Sequence, residues 1–176
     1  IRFDDTRLER SVLNVTTGVT QDYGQDYDPI SWRVGTVYSV TPRTQLFAQY
    51  SYAVTPVSGL LVMSAGNAAF DLTTGYSWEG GIKTSLTGSS VELTASAFKI
   101  RQDDILTRDP ADPAVVVQGG NLQSQGIELS LNWPASEELS IGFSGTLLDA
   151  EYGHLVEAGG ADRSGNRPPN VPERLG

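Results

Sequence analysis

Apolar and polar side chains alternate along most of the chain with a period of two residues. Over 30–40, Trp32, Val34, Thr36, Tyr38 and Val40 fall on one face, and Arg33, Gly35, Val37 and Ser39 on the other. Leu46, Ala48, Tyr50, Tyr52 and Val54 repeat the pattern. So do Trp78, Gly80, Ile82, Thr84 and Leu86, opposed by Glu79, Gly81, Lys83 and Ser85. Val91, Leu93, Ala95 and Ala97 continue it. Beyond Ala97 two phases stay open, because Phe98 and Ile100 point the other way unless a bulge intervenes. Ile127, Leu129, Leu131 and Trp133 share a face backed by Glu128 and Ser130, and Leu139, Ile141, Phe143 and Leu147 share another. With an extended remnant at 1–3, the pattern predicts about seven strands and an all-β fold.

The connections are of two kinds. Residues 40–44, 86–90 and 134–138 are tight turns rich in Pro, Gly, Ser and Thr. Long polar stretches at 5–29, 55–75, 102–116 and 151–170 alternate with them and are expected to be loops. In an antiparallel up-and-down meander, this places every tight turn at one end of the sheet and every long loop at the other. Short periplasmic turns and long outer loops mark a transmembrane barrel. Runs of about nine to eleven residues match a tilted membrane-spanning strand better than the five or six of a globular one.

Aromatic positions sharpen this expectation. With the long loops outside, Trp32, Trp78, Tyr50 and Tyr52 fall near the outer rim, and Tyr38 and Trp133 near the inner rim. Two belts at the membrane interfaces follow. Arg33, Glu79, Lys83 and Glu128 take the opposite parity and are expected to face a polar lumen.

Composition narrows the classes. Glycine is abundant at 19 residues, and no apolar run approaches the roughly 20 residues of a membrane-spanning helix. The absence of cysteine removes disulfides and thiolate metal sites. The net charge of −9, with no basic stripe, argues against nucleic acid, and the acidic clusters read as solvated loops. No signal peptide opens the chain. Ile1-Arg2-Phe3 reads as the middle of a strand, so a fragment truncated at both ends is expected.

Several segments, in order, resemble the TonB-dependent ferric-siderophore receptors. They are Phe47-Ala48-Gln49-Tyr50-Ser51-Tyr52-Ala53-Val54-Thr55-Pro56, Glu79-Gly80-Gly81-Ile82-Lys83, Ala97-Phe98-Lys99-Ile100-Arg101-Gln102-Asp103-Asp104-Ile105-Leu106-Thr107-Arg108-Asp109-Pro110, Gly120-Asn121-Leu122-Gln123-Ser124-Gln125-Gly126-Ile127-Glu128-Leu129, and Gly165-Asn166-Arg167-Pro168-Pro169-Asn170-Val171-Pro172. Two departures are visible: Thr73-Thr74-Gly75-Tyr76 stands where the family usually has Pro-Glu, and Glu173-Arg174 where a basic-plus-His pair often follows. The resemblance implies that residues 1–176 are part of a barrel of about 22 strands with a plugged lumen, lacking the plug domain and the terminal aromatic strand. It further implies a bacterial outer-membrane location, uptake of a ferric siderophore, contact with outer-membrane lipid, and coupling to TonB through the missing plug. A passive porin-like barrel and a soluble β-sandwich carbohydrate-binding module are the alternatives. The sandwich would bury Trp32, Trp78 and Trp133 in one core.

No catalytic constellation emerges, so no enzyme is expected. His154 is the only histidine, and no Ser–His–acid arrangement is indicated. Asp103-Asp104 lacks the spaced ligands of a calcium loop, and Gly119-Gly120 precedes no helix, so neither metal nor cofactor is expected. Chelate capture would fall to aromatic and Arg side chains of the outer loops, which offer stacking, hydrogen bonds and charge. By position the candidates are Tyr23, Tyr27, Phe70, Tyr76, Arg108 and Tyr152.

Overall fold

The computed structural model describes residues 1–55, 71–86, 91–109, 111–112, 116–157, 159–169 and 171, with the side chains of 108, 116 and 117 outside the description. Phe70 lies outside the described residues. The strands run in the order β1 (Arg2–Phe3), β2 (Thr6–Asn14), β3 (Val19–Tyr27), β4 (Ile30–Thr41), β5 (Thr44–Thr55), β6 (Thr73–Ser85) and β7 (Glu92–Asp103). They continue as β8 (Leu106–Arg108), β9 (Val116–Gln118), β10 (Asn121–Pro134), β11 (Ser140–His154), β12 (Val156–Glu157) and β13 (Ala161–Asp162).

Seven of these form one antiparallel sheet in the order β1-β4-β5-β6-β7-β10-β11, a meander whose described connections hold small hairpins. The seven predicted strands are all present, and six are longer than the alternation alone indicated, at 12 to 15 residues. Most of the extra residues lie at the loop end, where polar side chains interrupt the alternation while backbone pairing continues.

Three stretches expected to be loops hold strand pairs instead. Residues 5–29 contain the β2–β3 hairpin, with Leu8 opposite Gln25 and Arg10 opposite Tyr23. Asn14 closes it, its Oδ1 accepting the amides of Thr16 and Thr17, and Gly18 takes a left-handed φ of 70°. The β8–β9 and β12–β13 pairs occupy parts of 102–116 and 151–170. Backbone groups in long connections still need partners, and a local hairpin supplies them. Period-two apolar alternation is weak there: of the half-buried residues Thr6, Leu8, Arg10 and Val12 on β2, only Leu8 and Val12 are apolar.

β7 settles the open phase at Ala97. Its register with β6 and β10 runs without a shift from Glu92 to Asp103, so Phe98 and Ile100 lie on the polar face.

The sheet has almost no water-excluded core. Among the described residues, the buried apolar side chains are Tyr27, Ala150, Leu155 and Pro168, while Trp32, Trp78 and Trp133 stay 38%, 60% and 43% exposed. This overturns the soluble-sandwich alternative, which needs those three rings inside. An exposed apolar sheet face of this extent belongs in lipid.

Candidate functional site

Cross-strand register assigns every side chain of the sheet to a face. One face carries Trp32, Val34, Thr36 and Tyr38 on β4, then Tyr52, Tyr50, Ala48 and Leu46 on β5. It continues through Tyr76, Trp78, Gly80 and Ile82 on β6, Ala97, Ala95 and Leu93 on β7, and Ile127, Leu129 and Leu131 on β10. On β11 it shows Leu147, Gly145, Phe143 and Ile141.

The rings at the loop end of this face touch one another. Trp32 meets Tyr50 edge-on with centroids 5.2 Å apart, and Tyr50 meets Trp78 at 4.2 Å. Trp32 also approaches Tyr52 at 6.4 Å, and Tyr52 lies 5.2 Å from Tyr76. Tyr38 and Trp133 stand toward the opposite, tight-turn end, where the Thr44 and Thr84 hydroxyls hydrogen-bond at 2.8 Å.

The apolar band drifts across the strands. The register row that holds Trp32, Tyr52 and Tyr76 reaches Arg101, Gln123 and Glu151 on β7, β10 and β11. There the first apolar side chains are Ala97, Ile127 and Leu147, two rows nearer the tight turns. A drop of about four residues (~14 Å) over about five strand spacings (~24 Å) corresponds to a strand tilt of roughly 30°. This approaches the tilt of about 35–45° found in transmembrane barrels.

The other face is polar. Arg33 stands opposite Ser51, and the Gln49 amide donates to the Glu79 carboxylate. Lys83 is flanked by Gln45 and Thr94, and Glu128 by Thr146 and the buried Ser96. The sheet therefore gathers Arg33, Glu79, Lys83 and Glu128 on one side, away from Trp32, Tyr50, Tyr52, Trp78 and Trp133.

Two phenylalanines interrupt the polar face, each lying over a glycine of the next strand. Phe47 covers Gly81, and Phe98 covers Gly126. Sequence reasoning missed these pairs, although an ascending-strand Phe registered with a descending-strand Gly is a signal it could have used.

At the loop end the connections are tied together. Gln118 Nε2 donates to the carbonyls of Asp71 (2.9 Å) and Asp104 (3.0 Å), while its Oε1 accepts the Asp71 amide at 2.9 Å. Asp104 adopts a left-handed φ of 61°. Asp103 holds Arg101 through two hydrogen bonds of 2.8 and 3.0 Å, so its carboxylate is already engaged.

The loop candidates scatter rather than converge. Tyr23 lies on β3, where its hydroxyl donates to Gln21. Tyr27 is buried at the foot of the same hairpin, and burial followed by the nearby Asp71 charge raises its phenol above the ordinary value. Tyr76 lies within β6 on the apolar face, stacked on Tyr52 and apart from the other candidates. Tyr152 pairs with Leu122, and its backbone exchanges hydrogen bonds with Asn166 and Gly165. Arg108 ends β8, and its side chain lies outside the described part.

A tilted antiparallel sheet with a lipid-compatible face, a polar face and all long connections at one end is a segment of transmembrane β-barrel wall. The chain belongs to the TonB dependent receptor-like β-barrel family, which matches residues 1–176. It is 29% identical over its full length to the metal-pseudopaline receptor CntO of Pseudomonas aeruginosa, covering 24% of that protein. It is also 25% identical over 95% of its length to the ferrichrome outer membrane transporter/phage receptor of Escherichia coli, covering 21% of that chain. Among solved structures, the siderophore receptor PiuA from Acinetobacter baumannii superposes with a TM-score of 0.77 at 21% identity, over 97% of this chain and 26% of the other. The chain thus spans about a quarter of the length of the relatives it matches. The family is one of transport receptors in the outer membrane of Gram-negative bacteria.

Proposed function

We propose that this chain supplies part of the wall and outer loops of a receptor that takes up a ferric siderophore through the outer membrane with energy delivered by TonB. The carrying observation is the family match along the whole chain, on a sheet whose long connections all leave from one end. In this reading the sheet is part of a barrel of about 22 strands whose lumen holds a plug domain, and the plug contacts TonB. The polar face with Arg33, Glu79, Lys83 and Glu128 then lines the lumen, and the rings of Trp32, Tyr50, Tyr52, Trp78, Tyr38 and Trp133 form the two membrane belts.

Tyr23, Tyr27, Phe70, Tyr76, Arg108 and Tyr152 remain the proposed ligand contacts. Tyr23 and Tyr152 are favoured, because Tyr27 is buried and Tyr76 is engaged in the aromatic stack. A chelate of another metal is the second reading, favoured by the 29% identity to a metal-pseudopaline receptor.

The experiment is uptake of radiolabelled metal chelates by cells carrying or lacking the gene, with and without TonB. Gene- and TonB-dependent uptake of a ferric chelate supports the first reading, and selective uptake of a nickel, zinc or cobalt chelate the second. Gene-dependent uptake that ignores TonB would make the protein a passive porin and overturn both.

A further inference from the structure

On the face that carries Arg33, Glu79, Lys83 and Glu128, the character changes between strands at the loop end. Over three consecutive register rows, β4 to β6 carry Arg33 beside Ser51 and Ser77, and Gln49 beside Glu79. The same rows carry Phe98 and Ile100 on β7, Leu122 on β10, and Leu148, Ala150 and Tyr152 on β11. Ile100 stays 37% exposed and Leu148 41%, so the described residues leave this wall open. It covers two strand spacings by four residues, about 10 Å by 14 Å. Two residues beyond Leu122, Ile105 and Leu155 close over Gly120, 3.5 and 3.4 Å from where a Cβ would stand.

The charges at this end are acidic in balance. Arg2 is held by Asp4 at 2.8 Å, Arg7 by Glu9 at 2.8 Å, Arg163 by Glu157 at 2.8 Å and Arg167 by Asp149 at 3.8 Å. Asp5, Asp28, Asp71 and Asp104 form no ion pair among the described residues. In the outer two of the three rows, Arg33 is the one charged side chain, three strand spacings (~14 Å) from Ile100. A polyanion approaching this end meets carboxylates, with no cation in those rows beside the apolar wall to receive it.

We propose that this segment makes the receptor selective for a chelate without net negative charge, a ferric trihydroxamate in preference to a ferric tricatecholate. In a trihydroxamate the ligand charges cancel that of the ferric ion, and methylene chain forms much of the outside. In a tricatecholate each ring carries two negative charges, so the complex is a trianion. The methylene flank lies on Leu122, Ile100, Phe98 and Leu148, where apolar surface leaves water on both sides. The loop carboxylates repel the trianion and accept a neutral or cationic chelate. The inference rests on the ferric-chelate reading above for uptake itself, and adds the charge class of the ligand.

The test uses the complete receptor that carries this segment, with binding of iron-labelled chelates measured by equilibrium dialysis and uptake measured in cells. The probes are a neutral cyclic ferric trihydroxamate, a linear one bearing a protonated amine, and a ferric tricatecholate. The first two are expected to bind at least about tenfold more tightly than the third. Added salt should tighten the trianion, weaken the amine-bearing chelate and leave the neutral one unchanged. Leu148→Asn should weaken the neutral chelate about tenfold through lost apolar burial. The triple variant Asp5→Asn, Asp28→Asn, Asp104→Asn should improve binding of the trianion severalfold without changing that of the neutral chelate. Gel mobility with and without heating confirms that each variant folds.

Leu148→Cys reads the occupant of the wall directly. It should react with an aqueous maleimide in the unliganded receptor and be protected by the neutral trihydroxamate. Failure to react before ligand is added means that another part of the receptor covers the wall, which overturns the inference. A tricatecholate that binds as tightly as the trihydroxamates overturns it too, and where uptake stays TonB-dependent only the charge selection is lost. If no ferric chelate is taken up in a TonB-dependent way, the ferric-chelate reading falls and this inference with it.

Discussion

The ring of Phe47 fills the space that a side chain at Gly81 would need: a Cβ built there lies 2.7 Å from Phe47 Cζ and 2.9 Å from Cε1. Gly81 also approaches the Ala95 backbone carbonyl on its other side, so the position is closed from both neighbouring strands. The pair rescues a glycine that would otherwise leave the sheet without side-chain contact there. Phe98 does the same for Gly126, where a built Cβ meets Phe98 Cζ at 2.8 Å and the Leu147 carbonyl.

Gly81→Ala is therefore expected to destabilise the barrel by about 1–3 kcal/mol, the usual cost of overpacking. Equilibrium refolding of the receptor into detergent or lipid, followed by gel mobility against denaturant, measures it. The double variant Gly81→Ala, Phe47→Ala should recover part of the loss, because the backbone clash with Ala95 stays while the ring clash is gone. Additive losses would show that the ring and the glycine do not share this space.

The stack on the other face gives a coupling prediction. Tyr50 lies between Trp32 and Trp78, with centroids 5.2 and 4.2 Å away. Such pairs contribute about 0.5–1.5 kcal/mol beyond area burial. A double-mutant cycle with Tyr50→Leu and Trp78→Leu should return a coupling energy in that range. A cycle between Tyr50 and the distant Trp133 should return none.

Much of this was legible in the chain because a strand exposed to two different media writes its face assignment at every second residue. Trp32, Val34, Thr36 and Tyr38 needed no tertiary information to be placed together. Connection lengths gave the loop end for the same reason: tight turns require Pro, Gly and Ser, and those are local signals. Phe98 and Ile100 were ambiguous because parity alone cannot separate a bulge from an apolar residue on a polar face. Only the unbroken register with Gly126 and Ser124 separates them. The β2–β3 hairpin was hidden for a related reason. Its paired residues, Arg7 with Asp26 and Ser11 with Asp22, are polar on both strands and are held by an ion pair and a hydroxyl–carboxylate bond rather than by a buried face. The scatter of Tyr23, Tyr76 and Tyr152 was illegible because loop contacts depend on tertiary placement, which periodicity does not encode.

Gln118 supplies a prediction about the loop end. Its amide bridges Asp71 and Asp104, residues from two separate connections, with both nitrogen and oxygen in use. Removing it as Gln118→Ala should cost about 1 kcal/mol per bond locally, reduced by the exposure of the site. Hydrogen exchange at Asp71 should accelerate about tenfold while strands β5 and β10 keep their protection. Gln118→Glu should be the more damaging change. A carboxylate can still accept the Asp71 amide, but it cannot donate to the two carbonyls and is repelled by them. Unchanged exchange at Asp71 in both variants would show that the two connections hold their arrangement without this clamp.

Tyr27 sets the alkaline limit of the same region. It is 8% exposed, and its phenol is raised above the ordinary value of 10.0 by burial first and by the Asp71 charge second. A group whose folded value exceeds its unfolded one stabilises the fold fully below the unfolded value and loses that contribution as pH rises through the folded one. The window therefore opens at about pH 10 and extends upward, with nothing to lose from Tyr27 near neutrality. Spectrophotometric titration of phenolate should show a late-titrating component that Tyr27→Phe removes. Asp71→Asn should move that component down without abolishing it, since desolvation persists when the charge is gone. The alkaline unfolding arm should begin later in Tyr27→Phe than in the parent protein. A missing component at or below the ordinary tyrosine value would mean that this phenol is open to water and that the hairpin foot is not packed.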